Sequence, residues 1–282
     1  MEEIFGKRVT SLANFPLIGK WLAANHIKSR TALWTELRDS LMDSIEEHEN
    51  TFDEQEPRDL IDNYLIEIKK GRPEFNKKQL VIAIVDLFAA GSETSSTTLR
   101  WAVLYLILNP EAQERCHKEL DLLASKTPSL SDMSSLNFCQ ASILETLRLS
   151  CTAPGTLLHK ALVDVEVAGY HIPKGTFLAG NFMSTHLDPE FWNEPLKFSP
   201  ERFLDDEGII KETPHFFPFS IGKRVCLGES LARVELFLFF TILLKNCHFT
   251  LPKDNPHPSE LNYKIGITKI PEEFFCTVTD RN

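Results

Sequence analysis

The sequence lacks several features that would place it in a common protein class. Basic residues are not in excess, because 30 lysines and arginines stand against 40 acidic residues and give a formal net charge of −10. A general nucleic-acid binder needs a basic face, so this balance argues against that class. It still permits a local basic patch for an acidic protein partner.

Long apolar runs are also lacking. The best candidate, residues 80–108, is interrupted by Asp86, Glu93 and Arg100, whereas a spanning helix needs roughly 18 apolar residues in succession. The first 25 residues show no apolar secretion signal. We therefore expect no transmembrane anchor in the chain as given.

The six cysteines form no C-x-x-C pair, which leaves zinc ribbons and thioredoxin-like redox motifs unsupported. A disulfide framework is not expected either, because 43% apolar residues in 282 supply a sizeable core without covalent cross-links. There are no repeats, low-complexity tracts or Gly/Ser linkers.

The first half of the sequence has the apolar spacing of helices. We predict helices over residues 30–49, 58–70, 77–108, 111–124 and 137–150, with the third about 48 Å long at 1.5 Å per residue.

After Pro154 the pattern changes to short alternating stretches, residues 163–169 and 175–182, which are typical of strands. Residues 187–220 have no clear period. A last helix is predicted to start near Cys226, and short strands follow from Phe249. The sequence thus predicts a mainly α fold with a small β region.

The most specific motif is FSIGKRVCLG, residues 219–228, which fits Phe-x-x-Gly-x-Arg-x-Cys-x-Gly. A thiolate from Cys226 would be a strong iron ligand that donates charge to the metal and favours O–O cleavage. A helix that starts directly after the cysteine favours the thiolate through its positive dipole end. The alternative is a buried structural cysteine at a helix start.

This loop resembles the haem-binding signature of the cytochrome P450 family, and the surrounding sequence is similar to its microsomal, family-2-like members. The resemblance implies haem b (iron protoporphyrin IX) with Cys226 as axial ligand. Arg224 would pair with a propionate, and Phe219 would cover the ring near the sulfur. Gly222 and Gly228 would let the backbone lie close to the macrocycle.

The stretch LFAAGSETSSTT, residues 87–98, is similar to the family's Gly-x-Asp/Glu-Thr segment in the middle of a long helix. The resemblance makes Glu93 and Thr94 the catalytic pair that supplies protons for heterolytic O–O cleavage, and it places Ala90 among the cofactor-binding residues. We expect a local helix opening there, because serine and threonine hydroxyls bond back to carbonyls. The alternative is a helix with a solvated polar stripe.

Two further motifs, LETLRL and SPERF, contain Glu145, Arg148 and Arg202. The resemblance predicts that these three side chains form a buried charge network that fixes the haem loop, although Glu-x-x-Arg alone is often an ordinary surface pair.

The resemblance also places His159 where family members often have a propionate-binding residue. The stretches Ala153–Leu157 and Ile265–Ile267 are similar to family segments that line the substrate pocket, with simple strand packing as the alternative.

The resemblance covers the chain but only the C-terminal portion of a full-length member, so residues 1–282 are interpreted as one partial domain without the N-terminal anchor and early helices. Trp34 and Arg38 spell the family's Trp-x-x-x-Arg pattern, but they lie too close before Gly91 to be its propionate-binding pair. A closed, dry site needs the rest of the fold.

The implied function is a haem-thiolate monooxygenase that inserts one atom of O₂ into an apolar organic substrate such as a lipid, steroid or xenobiotic. The implied partner is an NADPH-dependent flavoprotein reductase, for which Lys223 and Arg224 offer a basic docking face. The implied location is the cytoplasmic face of the endoplasmic reticulum membrane. The alternatives are a reductase-independent peroxide isomerase of the same family, which usually lacks the acid–alcohol pair, and a catalytically inactive fragment.

Overall fold

The computed structural model describes residues 24–125, 127–253 and 258–281, and it describes side-chain surroundings in the first helix from residue 34 onward. Two compact units divide the chain, one ending at Ala90 and the other beginning at Gly91. The division falls inside a single long helix.

The first unit is helical in its described part. Helix α1 covers Ala24–Thr51 and α2 covers Leu60–Lys69; the long helix α3, Lys77–Leu108, begins here. The Asp59 carboxylate caps α2 by accepting the backbone N–H groups of Ile61 and Asp62, which satisfies donors that a helix N-terminus leaves free. The small core of this unit consists of Ile45, Leu65, Leu80 and Val81.

The second unit contains the rest of α3 and four more helices. These are α4 (Pro110–Asp121), α5 (Asn137–Ser150), α6 (Phe182–His186) and α7 (Glu229–Asn246). Short 3₁₀ turns cover Leu130–Ser135, Pro200–Phe203 and Gly222–Arg224. Helices α4, α5 and α7 pack on one another around apolar residues that include Phe237, Phe240 and Leu244.

An aromatic stack anchors α3 in the core of this unit. Trp101 stacks on Tyr105 with ring centroids 5.5 Å apart, and Tyr105 stacks on Phe198 at 5.1 Å. The Trp101 indole N–H donates to the main-chain oxygen of Lys269 at 2.9 Å. The buried Lys269 ammonium lies over the rings of Trp101 and Tyr263, and burial lowers its pKa.

In the described part of the chain, eight short strands form four antiparallel pairs. They are β1 (His159–Lys160) with β4 (Phe177–Leu178), β2 (Val165–Val167) with β3 (Tyr170–Ile172), β5 (Cys247–Thr250) with β8 (Thr277–Asp280), and β6 (Tyr263–Ile265) with β7 (Lys269–Pro271). Ala168 and Gly169 link β2 to β3 with φ angles of 50° and 83°, as a tight two-residue hairpin turn requires.

The predicted mainly α fold with a small β region is confirmed, and the five helices predicted before Pro154 are all present. One local prediction was wrong. The stretch 175–182 is a strand only at Phe177–Leu178, because Asn181 accepts the Ser184 backbone N–H and starts helix α6. The last helix, predicted to start near Cys226, begins at Glu229, after a separate 3₁₀ turn at Gly222–Arg224.

Helix α3 is long enough and, with a mean hydropathy of 1.2 over its best window, apolar enough to cross a membrane. The prediction that no segment is apolar enough to span a membrane was too strict, because a window of 18 residues with two or fewer charged residues still has a high mean hydropathy. A core helix of a soluble protein passes the same test. Trp101, Leu104 and Tyr105 are buried in the second unit, so this part of α3 belongs to the core of that unit.

Two buried histidines predict how stability depends on pH. Burial, reinforced by a nearby arginine, lowers the pKa of both His117 and His186 from 6.5 to about 4. The unfolded chain therefore binds more protons than the folded chain between these values, so the free energy of unfolding should fall as pH drops from about 6.5 to about 4. A shift of this size corresponds to at most about 3 kcal/mol for each histidine.

Urea unfolding at pH 7.5 and 4.5 measures this loss. Replacing His117 by Gln should reduce the difference between the two pH values, whereas the same change at the exposed His171 should not. If the wild type and both variants lost the same free energy of unfolding between the two pH values, the assignment of this loss to His117 would be contradicted.

Candidate functional site

The cysteine loop, residues 219–228, is fixed by its own backbone. The N–H of Cys226 donates to the oxygen of Phe219 at 2.8 Å, and Val225 N–H donates to Gly222 O at 3.1 Å. Ser220 and Gly222 have φ angles of 70° and 76°, the left-handed region that glycine tolerates best. The loop therefore turns sharply and presents Cys226 ahead of α7.

Open space lies around the cysteine. Cys226 is exposed, and a Cβ added at Gly222 or Gly228 would meet no atom within 4 Å. The apolar side chains of Ile221 and Leu227 are 69% and 87% exposed. A soft sulfur donor beside bare backbone and apolar side chains is the surface that a flat, thiolate-ligated macrocycle fits.

Phe219 lies at the base of the loop. It is half-buried, and the Arg233 guanidinium lies over its ring at 5.0 Å. Arg233 also pairs with Glu229 one turn earlier in α7, at 2.8 Å. Arg233 of α7 therefore supports Phe219, the residue predicted to cover the ring near the sulfur.

The acid–alcohol pair lies on α3, where Glu93 and Thr94 are half-buried. The helix continues without interruption through Gly91, so the predicted local opening is not present. The hydroxyls of Ser96 and Thr98 bond back to the carbonyls of Ser92 and Thr94, at 2.6 and 2.8 Å. These bonds satisfy the hydroxyls within a continuous helix, which explains why so many serines and threonines leave it intact.

Three side-chain bonds attach this part of α3 to other segments. The Thr268 hydroxyl donates to Glu93 Oε1 at 3.5 Å, and the Ser95 hydroxyl donates to Glu235 Oε2 at 3.1 Å. The hydroxyls of Thr98 and Thr152 are 3.1 Å apart. Since Glu235 lies on α7, the Ser95 bond connects the acid–alcohol helix directly to the helix that follows Cys226. None of these partners was predicted from the sequence, because single hydroxyl contacts have no spacing pattern.

The predicted charge network is assembled. Arg148 donates to both oxygens of Glu145 at 2.7 and 2.8 Å, and Arg202 Nε donates to Glu145 Oε1 at 3.1 Å. Glu145 and Arg148 are completely buried. The prediction that SPERF supplies the third member is confirmed.

The network also binds main-chain groups. Arg148 Nη1 donates to the oxygens of His186 and Pro195, at 2.7 and 2.9 Å, while Ser199 N–H donates to Glu145. Arg202 binds the oxygens of Asn193 and Glu194. Main-chain groups between residues 193 and 199 are thus held by the network.

A family model described as Cytochrome P450 matches residues 1–278. The chain belongs to the cytochrome P450 family. It is 39% identical to Cytochrome P450 2U1 of Homo sapiens over 84% of this chain and 45% of that protein. It is 40% identical to Cytochrome P450 2J2 of Homo sapiens over 91% of this chain and 52% of that protein. The Drosophila melanogaster Cytochrome P450 18a1 is 37% identical over 94% of this chain and 51% of its own length.

A solved structure titled "Zebra fish cytochrome P450 another structure with Progesterone" matches with a TM-score of 0.82 and 35% identity, over 90% of this chain and 58% of that one. The chain spans about half the length of the curated relatives it matches. The family implies a haem cofactor, and the loop around Cys226 has the donor and the open space that fit it.

The other predicted residues of this P450 chain are less closely assembled. Arg224 and His159 are exposed, and among the described residues neither side chain makes an ion pair. His159 lies in β1 opposite Leu178, with no recorded contact to the cysteine loop in the described part of the chain. Ala90 is the last residue of the first unit. Their roles stay predictions.

The two stretches predicted to line the substrate pocket adjoin each other. The N–H of Lys269, just after Ile265–Ile267, donates to the oxygen of Thr152, just before Ala153–Leu157, at 2.8 Å. Leu157 and Ile267 are 81% and 67% exposed. Apolar side chains therefore project from both stretches, as a surface for an apolar ligand requires.

The buried network yields a stability prediction. Replacing Glu145 by Ala leaves the Arg148 guanidinium buried without its anion, which typically costs about 3–5 kcal/mol. Chemical unfolding of this variant and of Glu194→Gln measures the effect. Among the described residues the Glu194 carboxylate pairs only with the exposed Lys197, so loss of this charge should cost under about 1 kcal/mol. Similar losses in the two variants would contradict the role of the network.

Proposed function

We propose that this chain is the C-terminal, haem-binding portion of a haem-thiolate monooxygenase that inserts one atom of O₂ into an apolar organic substrate and reduces the other to water. The observation that carries the proposal is Cys226, an exposed sulfur on a backbone-fixed loop with open space over Gly222 and Gly228. A lipid, steroid or xenobiotic would suit the apolar side chains near Leu157 and Ile267.

Haem b is the proposed cofactor, and when bound it supplies the redox chemistry that activates O₂. Cys226 would hold its iron from one side, and Phe219 would limit water access to the sulfur. Arg224 offers an uncommitted guanidinium for a propionate, and His159 offers an imidazole for the same purpose. The glycines on either side of the cysteine would let the backbone approach the ring.

Proton supply is proposed for Glu93 and Thr94. The carboxyl and the hydroxyl are adjacent on α3, and Glu93 is oriented by Thr268. A carboxylic acid held close to a hydroxyl can pass a proton through it and regain one from water. The connection through Ser95 and Glu235 supports a fixed position of this pair relative to the cysteine helix.

The proposed electron donor is an NADPH-dependent flavoprotein reductase. The exposed Lys223 and Arg224 in the cysteine loop form a basic patch on an otherwise acidic chain, which suits an acidic partner surface. We also propose that the full-length enzyme lies on the cytoplasmic face of the endoplasmic reticulum membrane, as the family resemblance implies.

A second candidate is a haem-binding chain without turnover. It is favoured by the exposure of Cys226, because controlled oxygen chemistry needs a closed, dry site. The following experiments separate this candidate from the monooxygenase.

Cysteine ligation is tested by replacing Cys226 with serine. The wild-type chain, loaded with haem, should give a reduced carbon-monoxide difference spectrum at the thiolate-ligated position, and Cys226→Ser should lose it because a hydroxyl is a poor iron ligand. Cys276→Ser serves as the control and should keep the spectrum. A thiolate-type spectrum in Cys226→Ser would refute the assignment, and no haem uptake by the wild type would refute the proposed function of this chain.

Proton supply is tested with Glu93→Gln and Thr94→Val in reductase-supported turnover. Each variant should keep the carbon-monoxide spectrum but form product about 10²-fold more slowly, with more hydrogen peroxide released per NADPH, because a positioned acid typically contributes 10²–10⁴-fold. Ser92→Ala on the exposed side of α3 is the control. Unchanged product yields in both variants would exclude the pair. Turnover of a peroxide substrate without reductase would indicate the isomerase instead.

A further inference from the structure

His186 is a buried histidine that the proposed chemistry does not use. It is the last residue of α6, and it is completely buried. Its main-chain oxygen accepts a hydrogen bond from Arg148 Nη1 at 2.7 Å. The backbone of His186 is therefore fixed by the charge network.

The imidazole of His186 points from this network to the base of the cysteine loop. Its Nε2 lies 3.2 Å from the backbone nitrogen of Phe217, which donates the hydrogen bond. Its Nδ1 lies 3.8 Å from the sulfur of Cys151. The rings of Phe216 and Phe217 pack against it, with centroids at 5.6 and 5.8 Å.

Two backbone bonds continue from Phe217 to the cysteine. The Phe217 oxygen accepts from Ser220 N–H at 3.0 Å, and the Phe219 oxygen accepts from Cys226 N–H at 2.8 Å. Between these bonds the chain is exposed from residue 221 to residue 227. A segment with so few buried contacts is held mainly at its base.

We propose that His186 is a positioning residue that connects the Glu145–Arg148 ion pair to the cysteine loop by accepting the Phe217 N–H. The imidazole fixes where the loop starts, and the loop's own bonds then fix Cys226. The statement that this loop positions a metal ligand rests on the proposed function. The connection from His186 to the loop does not depend on that function.

The acceptor role requires a neutral ring with its proton on Nδ1. Burial, together with the positive charge of Arg148, lowers the pKa of His186 to about 4, so the ring stays neutral over the physiological range. The Nδ1 proton then faces the Cys151 sulfur. The loss of an acceptor for a partly buried N–H is costly, so the loop base should open when the ring is replaced.

The test is amide hydrogen exchange of the haem-free chain. In His186→Met, which fills the space without an acceptor, a peptide spanning residues 216–226 should exchange about tenfold faster or more. In His186→Gln, whose amide oxygen reaches the position of Nε2, exchange should return close to the wild-type rate. His117→Met is the matched control, because His117 is equally buried but its Nε2 has no hydrogen-bond partner among the described residues.

The proposal is overturned if His186→Met leaves exchange in this peptide unchanged, if exchange rises equally in the helices α5 and α7, or if Gln behaves like Met. If His186→Met does not fold, His186→Asn replaces it, since its shorter amide reaches only the Nδ1 position and cannot accept the Phe217 N–H. His186→Asn should then raise the exchange rate of the peptide, and His186→Gln should not. Equal exchange rates in these two variants would also overturn the proposal.

A second readout concerns the loaded chain. His186→Met should convert from the thiolate-ligated carbon-monoxide spectrum to a spectrum without thiolate several times faster than wild type or His117→Met. Failure of the wild type to bind haem would refute the proposed function, while the exchange experiment would still decide the role of His186.

Discussion

The ion pair between Glu145 and Arg148 is the interaction that holds the segment between residues 186 and 202 against helix α5. Two fully buried charges are stable only if every donor and acceptor finds a partner, and here the partners lie between residues 186 and 202. Arg148 binds the oxygens of His186 and Pro195, and Glu145 accepts from Ser199 and Arg202. The ion pair therefore fixes a loop conformation that secondary-structure propensity alone could not specify.

The same pair connects the fold to the chemistry. Through His186 and Phe217 it reaches the base of the cysteine loop, and α7 leads from the loop back to α3 through the bond between Glu235 and Ser95. Each connection is a single hydrogen bond. The bond between Glu235 and Ser95 joins two helices, so it connects the helix that follows Cys226 to the helix that carries Glu93 and Thr94.

The sequence predicts this molecule well where a residue type has a unique physical purpose. The helices before Pro154 follow from apolar spacing and the Cys226 motif from its chemistry, whereas the Glu145–Arg148–Arg202 network follows from the family resemblance; the family comparison confirms the class. The sequence predicts poorly those features of the structure that depend on single contacts. Helix α6 depends on one Asn181 cap within an apparent strand, and the partners Thr268, Glu235 and His186 carry no pattern that a sequence displays.

The exposed apolar side chains around the cysteine loop indicate that this open surface binds a ligand. Ile221, Leu227 and Leu231 are 61% exposed or more, and clustered apolar exposure of this kind marks a surface that binds something. A macrocycle laid over the two bare glycines would cover part of it while leaving the backbone unchanged, since the loop's turn is set by its own bonds. The cofactor would therefore complete a site whose geometry already exists, and its binding energy would not be spent on folding the loop.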